Sequence, residues 1–84
     1  MLVLTQSQQM VINVEYVDCM FIGKEIIEKK EKYGLYCIMA SDQEKVAIAY
    51  YETKKEAIEE LKLMLNCWKH KQDIYFIRQE KAVL

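Results

Sequence analysis

One stretch of the chain, beginning at Thr53, has the pattern of an amphipathic helix. Thr53 and Glu56 form a T-x-x-E capping box, in which the threonine side chain accepts from the Glu56 amide and Glu56 reaches back to the Thr53 amide. Apolar residues then recur at steps of three and four within an arc of about 120°, namely Ala57, Ile58, Leu61, Met64, Leu65 and Trp68. The pattern predicts a helix over residues 54–69 with this stripe, Leu65 and Trp68 included, packed in the core.

The remaining apolar residues fall in short runs that predict strands, over residues 2–5, 10–17, 19–22, 36–40, 45–51 and 73–78. The first two runs suit a hairpin, and Ser41 and Asp42 suit a turn. Residues 24–32 hold few apolar anchors, which favours an exposed strand or hairpin arm that turns near Glu31 to Gly34. The chain is expected to be a single domain, residues 1–84, of the α+β class. A strongly curved antiparallel sheet of four to six strands should pack against one C-terminal helix (about 54–69), with a short strand after it.

The predicted strand KVAIAYY, residues 45–51, is apolar on both faces, because Val46, Ile48 and Tyr50 alternate with Ala47, Ala49 and Tyr51. One helix covers only one face of a sheet, so the other face must be hidden by sheet curvature, by the C-terminal strand or by another subunit. A small domain gains much from the last solution, so we expect either a homodimer or a curled sheet with the helix at its mouth. The predicted interface residues are Tyr36, Ile38, Ile48, Tyr50, Tyr75 and Phe76.

Composition argues against several classes of protein. The 84 residues carry a net charge of -1 with acidic and basic residues interspersed, so the basic face typical of nucleic-acid binding is missing. The N-terminus lacks the pattern of a signal peptide, and no apolar run approaches the ~18 residues of a membrane span. The three cysteines stand far apart, as expected of reduced thiols in a cytoplasmic protein.

Cys67 and His70 form C-x-x-H on the predicted helix, and Cys19 and Cys37 are the other two thiols. A zinc site of three cysteines and one histidine would use all four, but structural zinc sites draw their ligands in close pairs, which Cys19 and Cys37 are not. Nucleophilic catalysis would need an orienting group beside Cys67 and His70, and the sequence shows none. We therefore expect no metal, no cofactor and no enzymatic activity.

A strand ending in Thr5–Gln6 and a later pattern Y-x-[ST]-x-x-x-A-x-x-x-L, matched by Tyr51, Thr53, Ala57 and Leu61, carry a resemblance. The chain resembles a group of small uncharacterised proteins of low-GC Gram-positive bacteria and their phages. The resemblance spans residues 1–66, and leaves out the cysteines, His70 and the tail from Asp73. It implies a phage or mobile-element origin and transfers no catalytic residue.

The leading hypothesis is a non-enzymatic protein-binding module of the cytoplasm that associates with itself and with an unidentified protein. One alternative is a phage or mobile-element inhibitor or sponge that binds a host factor or small ligand. Another is a weak nucleic-acid-binding domain, which would require Lys69, His70, Lys71 and Arg78 to converge beside exposed aromatic side chains.

Overall fold

The computed structural model describes residues 1–79, which form two three-stranded sheets and one helix. The elements are β1 (Leu2–Leu4), β2 (Val11–Asn13), β3 (Val17–Ile27), β4 (Lys30–Met39), β5 (Lys45–Tyr51), α1 (Lys54–Lys69) and β6 (Ile74–Phe76). The α+β class, the C-terminal helix and the short strand after it are confirmed. The prediction of one sheet of four to six strands is wrong, because the strands divide into a small sheet, β2-β1-β6, and a large sheet, β3-β4-β5.

The large sheet is built on a long hairpin formed by β3 and β4. The predicted hairpin arm is present, but its turn lies at Glu28 and Lys29 rather than between Glu31 and Gly34. Both turn residues have positive φ, 50° and 65°, as a two-residue hairpin turn requires. An exposed ion pair between Lys24 and Glu31 (2.6 Å) joins the two strands near this end. No glycine among the described residues has a positive φ, so Gly34 stays inside β4 instead of turning the chain.

The small sheet confirms the predicted hairpin of the first two strands, since β1 pairs antiparallel with β2. β2 ends at Asn13, because the Asn13 side chain accepts from the Glu15 amide (3.1 Å) and starts a 3-10 turn over Val14–Tyr16. β6 adds to the other edge of β1 in parallel orientation, so the tail strand pairs within the chain.

Gln6 joins the two sheets at the outer edge of β5. Its backbone amide donates to the Ile48 carbonyl oxygen (2.9 Å). Its side-chain amide forms the two hydrogen bonds that a neighbouring strand would form with Tyr50. Nε2 donates to the Tyr50 carbonyl oxygen (3.0 Å), and Oε1 accepts from the Tyr50 amide (2.8 Å). Gln79 in turn donates to the Gln6 carbonyl oxygen (2.9 Å). The Gln6 side chain therefore acts as a short strand that covers the last residues of β5.

The alternation predicted for β5 breaks at Ile48. The pairing with β4 skips this residue, since Leu35 lies opposite Ala49 and Tyr36 lies opposite Ala47. The bulge turns both Ile48 and Ala49 into the core, where each is 1% exposed. Ala47 and Tyr50 are left on the outer face of the large sheet, which the helix does not reach.

The core lies between the inner face of the large sheet, α1 and the small sheet. Its members are Val3, Ile12, Val14, Leu35, Cys37, Ile48, Ala49, Tyr51, Ala57, Met64 and Ile77. The helix begins where the capping box predicts, because the Thr53 hydroxyl accepts from the Glu56 amide (3.2 Å). The second half of the box differs, since the Glu56 carboxylate accepts from the Thr53 hydroxyl (2.9 Å). At the other end His70 Nδ1 donates to the Asn66 carbonyl oxygen (2.8 Å).

Candidate interaction surfaces

A fully buried carboxylate joins the helix to the C-terminal strand. Glu60 of α1 is 0% exposed and accepts from the hydroxyls of Tyr51 (2.9 Å) and Tyr75. The backbone amide of Arg78 donates to it (2.9 Å), and the Arg78 guanidinium lies 3.3 Å away. This cluster, the Glu60 network, ties β5, α1 and the segment after β6 to one side chain. All of its polar groups are satisfied, so it acts as a structural joint.

Two tyrosines of the Glu60 network have raised pKa values. Burial is the main cause for both Tyr51 and Tyr75, and the hydrogen bond to Glu60 adds to it, because ionised tyrosine would face a carboxylate. The Arg78 guanidinium opposes this effect without reversing it. Both hydroxyls are therefore held in the protonated form that donates to Glu60.

These pKa shifts predict a loss of stability at high pH. Because the pKa of each tyrosine in the folded state lies above its ordinary value of 10.0, the unfolded chain releases these protons first as the pH rises. The stabilisation is fully present below about pH 10 and is lost above it. We expect Tyr51→Phe to make the free energy of unfolding fall less steeply as the pH rises above about 10. Urea titrations check this, with Tyr16→Phe, an exposed tyrosine, as control; equal slopes would contradict it.

The helix sits in an orientation that its apolar stripe does not predict. Its fully buried residues are Ala57, Glu60 and Met64. On a helical wheel the centre of this face is turned by about 70° from the centre of the predicted stripe. Leu65 and Trp68, expected in the core, are 47% and 48% exposed, and that prediction is wrong. The Glu60 network explains the rotation, because Tyr51, Tyr75 and Arg78 all lie on the side toward which α1 is turned.

The rotation leaves an apolar edge on α1 that we call the seam, formed by Ile58, Leu61, Leu65 and Trp68. Ile58 and Leu61 are half-buried, and the two later residues are exposed. Glu60 marks the side of α1 that faces Tyr51 of β5 and Tyr75 of β6, so the seam lies on the opposite side, toward β3. The outer edge of β3 pairs with no strand among residues 1–79.

A second apolar surface is the outer face of the small sheet. The strand register places Leu2 beside Asn13 and Ile74, and Leu4 beside Val11 and Phe76. Because alternate residues point to opposite faces, these side chains share the face opposite the buried Val3 and Ile12. Leu2, Val11, Ile74 and Phe76 are exposed, Phe76 by 66%. None of the six residues on this face is charged.

The outer face of the large sheet is covered by its own side chains. The Tyr36 ring lies across Gly34, stacks on Phe21 (5.3 Å between ring centroids) and meets the edge of Tyr50 (5.9 Å). Its hydroxyl donates to Glu25, and Lys45 Nζ lies 4.7 Å from the ring centroid. Tyr36 is consequently only 3% exposed. The face that one helix cannot reach is closed here by an aromatic cluster.

The predicted interface residues occupy three different places. Tyr36 and Tyr50 meet in the aromatic cluster, with Ile38 half-buried on the same strand as Tyr36. Ile48 lies in the core, and the Tyr75 hydroxyl is directed to Glu60. Phe76 is exposed on the outer face of the small sheet. The seam was missed as a surface because its residues carry the strongest core pattern in the chain.

Cys67 and His70 do not join the other cysteines. Cys37 is buried, which raises the pKa of its thiol, whereas Cys19 is exposed. Within residues 1–79 no three His, Cys, Asp or Glu side chains are grouped in a way that would hold a metal ion. Lys69, His70 and Lys71 are exposed at the end of α1, while Arg78 is engaged by Glu60.

The 16 residues of α1, the one helix in the described part of the chain, are too few and too polar to cross a membrane. A shallow surface groove of about 380 Å³ on the solvent side of α1 is lined by Glu59, Lys62, Leu63, Asn66 and Arg78. Comparison of the chain with protein-family models, with characterised proteins and with solved structures gave no match.

Proposed function

We propose that this chain is a non-enzymatic protein-binding module that pairs with a second copy of itself through the outer face of the small sheet. The observation that carries the proposal is the group of exposed apolar side chains on that face, with no charge among them. An exposed apolar patch of this kind is typical of an interaction site. The unpaired thiols Cys19, Cys37 and Cys67 suit a reducing compartment, and we assign the module to the cytoplasm.

A second copy suits this face for two reasons. In a two-fold contact the same patch meets itself, and an uncharged patch does so without repulsion between like charges. Stacked sheets also pack about 10 Å apart through interdigitating apolar side chains, which Leu2, Val11, Ile74 and Phe76 provide. Three strands of three residues measure only about 14 Å by 10 Å. The contact is therefore small, and the dimer is expected to be weak and dependent on concentration.

Sedimentation equilibrium over a wide range of protein concentration tests the proposal. We expect the mass to rise from that of the 10.0 kDa chain toward twice this value as the concentration increases. The double variant Val11→Ser/Phe76→Ser should remain monomeric over the same range. Ile26→Ser is the matched control, because Ile26 is 75% exposed at the hairpin tip, far from the small sheet in the pairing scheme. A wild-type mass of one chain throughout, or equal association of all variants, would contradict the proposed dimer.

A further inference from the structure

We infer that the seam on α1 is a docking site for an acidic amphipathic helix of a partner protein. The inference rests on the proposal that the chain binds protein, but it concerns a different surface from the proposed dimer face. Three observations carry it: the spacing of the seam residues, their exposure, and a row of lysines beside them.

The seam has the spacing of a helix-packing stripe. Ile58, Leu61, Leu65 and Trp68 are separated by three, four and three residues, the alternation of a and d positions in two heptads. This spacing places the apolar residues in a narrow stripe along α1, against which a second helix can pack. The line is uncovered at its C-terminal half, where Leu65 and Trp68 are about half exposed. A tryptophan on such a line is the type of residue that dominates binding energy at protein interfaces.

A row of lysines borders the seam on its solvent side. Lys55, Lys62 and Lys69 are spaced seven apart, so they occupy the same heptad position next to the apolar line. All three are exposed, and none forms an ion pair with another described residue. The opposite border of the seam is the helix face that carries Ala57 and Met64 and packs on the core. A partner helix therefore meets an apolar line with positive charge along one side, and acidic side chains complement it.

A second copy of α1 does not supply acidic side chains opposite the lysine row. Two such helices packed antiparallel bring their lysine rows against each other, and packed parallel they leave both rows without acidic partners. An anionic membrane would also attract the lysines, but a helix that lies in a membrane surface needs a broad apolar face that is free to enter the lipid. Here the core-facing side of α1 is already covered by the large sheet. The charge pattern and the narrow seam together favour a single acidic helix.

The test uses synthetic peptides and the intrinsic fluorescence of Trp68, the only tryptophan of the chain. The probe is a three-heptad peptide with leucine at a and d positions and glutamate at the flanking positions, which repel one another and keep the peptide from pairing with itself. A matched peptide carries lysine instead of glutamate. We expect the acidic peptide to shift the Trp68 emission to shorter wavelength in a saturable way, and to bind at least ten-fold more tightly than the lysine peptide at low salt.

Variants separate docking from loss of folding. Leu65→Ser should abolish binding, whereas Leu63→Ser, an exposed leucine outside the seam, should leave it unchanged. The double variant Lys62→Glu/Lys69→Glu should reverse the preference in favour of the lysine peptide, which a merely misfolded protein would not do; circular dichroism confirms the fold of each variant. Equal binding of both peptides, or no binding of either, overturns the inference. An emission shift with phosphatidylserine vesicles but not with the acidic peptide also overturns it and assigns the seam to membranes. Sedimentation equilibrium tests the proposed dimer separately.

Discussion

Glu60→Ala should destabilise the protein by about 3–5 kcal/mol, the range found when one partner of a buried ionic network is removed. The alanine leaves the hydroxyls of Tyr51 and Tyr75 and the Arg78 amide without their acceptor in a dry site. It also detaches α1 from the segment after β6. A domain of 84 residues has a free energy of unfolding on the order of 4–12 kcal/mol, so this one change removes a large part of it.

Urea unfolding followed by circular dichroism measures the effect. Glu60→Gln keeps an oxygen acceptor but loses the charge, so it should fall between the wild type and Glu60→Ala and remains measurable if the alanine variant does not fold. Glu59→Ala is the matched control on the same helix, because Glu59 is exposed, and it should change stability by less than about 0.5 kcal/mol. Equal effects of the changes at Glu59 and Glu60 would show that the network contributes nothing.

Gly34→Ala should destabilise the protein by about 2–3 kcal/mol, because the new methyl group would overlap the Tyr36 ring. A Cβ at position 34 would lie 2.4 Å from both Cζ and the hydroxyl oxygen of Tyr36, well inside contact distance. The ring cannot move aside freely, since Phe21 and Tyr50 pack around it and Glu25 accepts from its hydroxyl. Glycine is therefore required here to let an aromatic side chain lie flat on the strand.

Gly23 provides the comparison, since it lies directly opposite Gly34 on β3. A Cβ at position 23 would come within 3.2 Å of Tyr36, a milder conflict, so Gly23→Ala should cost clearly less. The cause is isolated by repeating Gly34→Ala in a Tyr36→Ala background, where the clash is gone and alanine should be neutral or better than glycine. A cost that persists without the Tyr36 ring would rule out the proposed overlap. Thermal or urea denaturation of the wild type and the four variants, Gly23→Ala, Gly34→Ala, Tyr36→Ala and Gly34→Ala/Tyr36→Ala, is sufficient.

Local signals in the sequence predicted the features that depend on neighbouring residues. The helix boundary follows from the Thr53 cap, and the turn before β5 follows from Asp42, whose side chain accepts from the Glu44 amide (3.0 Å). The hairpin turn at Glu28 and Lys29 was not predicted, because neither residue is of the type that favours positive φ.

Features that depend on distant residues could not be derived from the sequence pattern. The helical wheel of α1 predicts that its apolar stripe faces the core. The hydrogen-bond donors to Glu60, however, lie 9, 15 and 18 residues away in the chain, and their bonds to Glu60 set the observed rotation of the helix. The bulge at Ile48 likewise depends on the pairing with β4, and the amino-acid sequence of β5 alone does not predict it. The candidate seam was hidden for the same reason, since nothing local distinguishes Leu65 from a core leucine.

Gln6 has a consequence for how the large sheet can grow. Fibrous assembly through strand pairing requires two free edges on each molecule, one to add to and one to be added. The Gln6 side chain occupies the hydrogen-bonding groups of Tyr50 at the end of β5, while the outer edge of β3, on the opposite side of the sheet, pairs with no strand among residues 1–79. Strand addition to the large sheet is thereby directed to β3, and two molecules that meet through β3 pair these two edges with each other. The Gln6 amide thus favours a closed pair of large sheets over further strand addition at the end of β5.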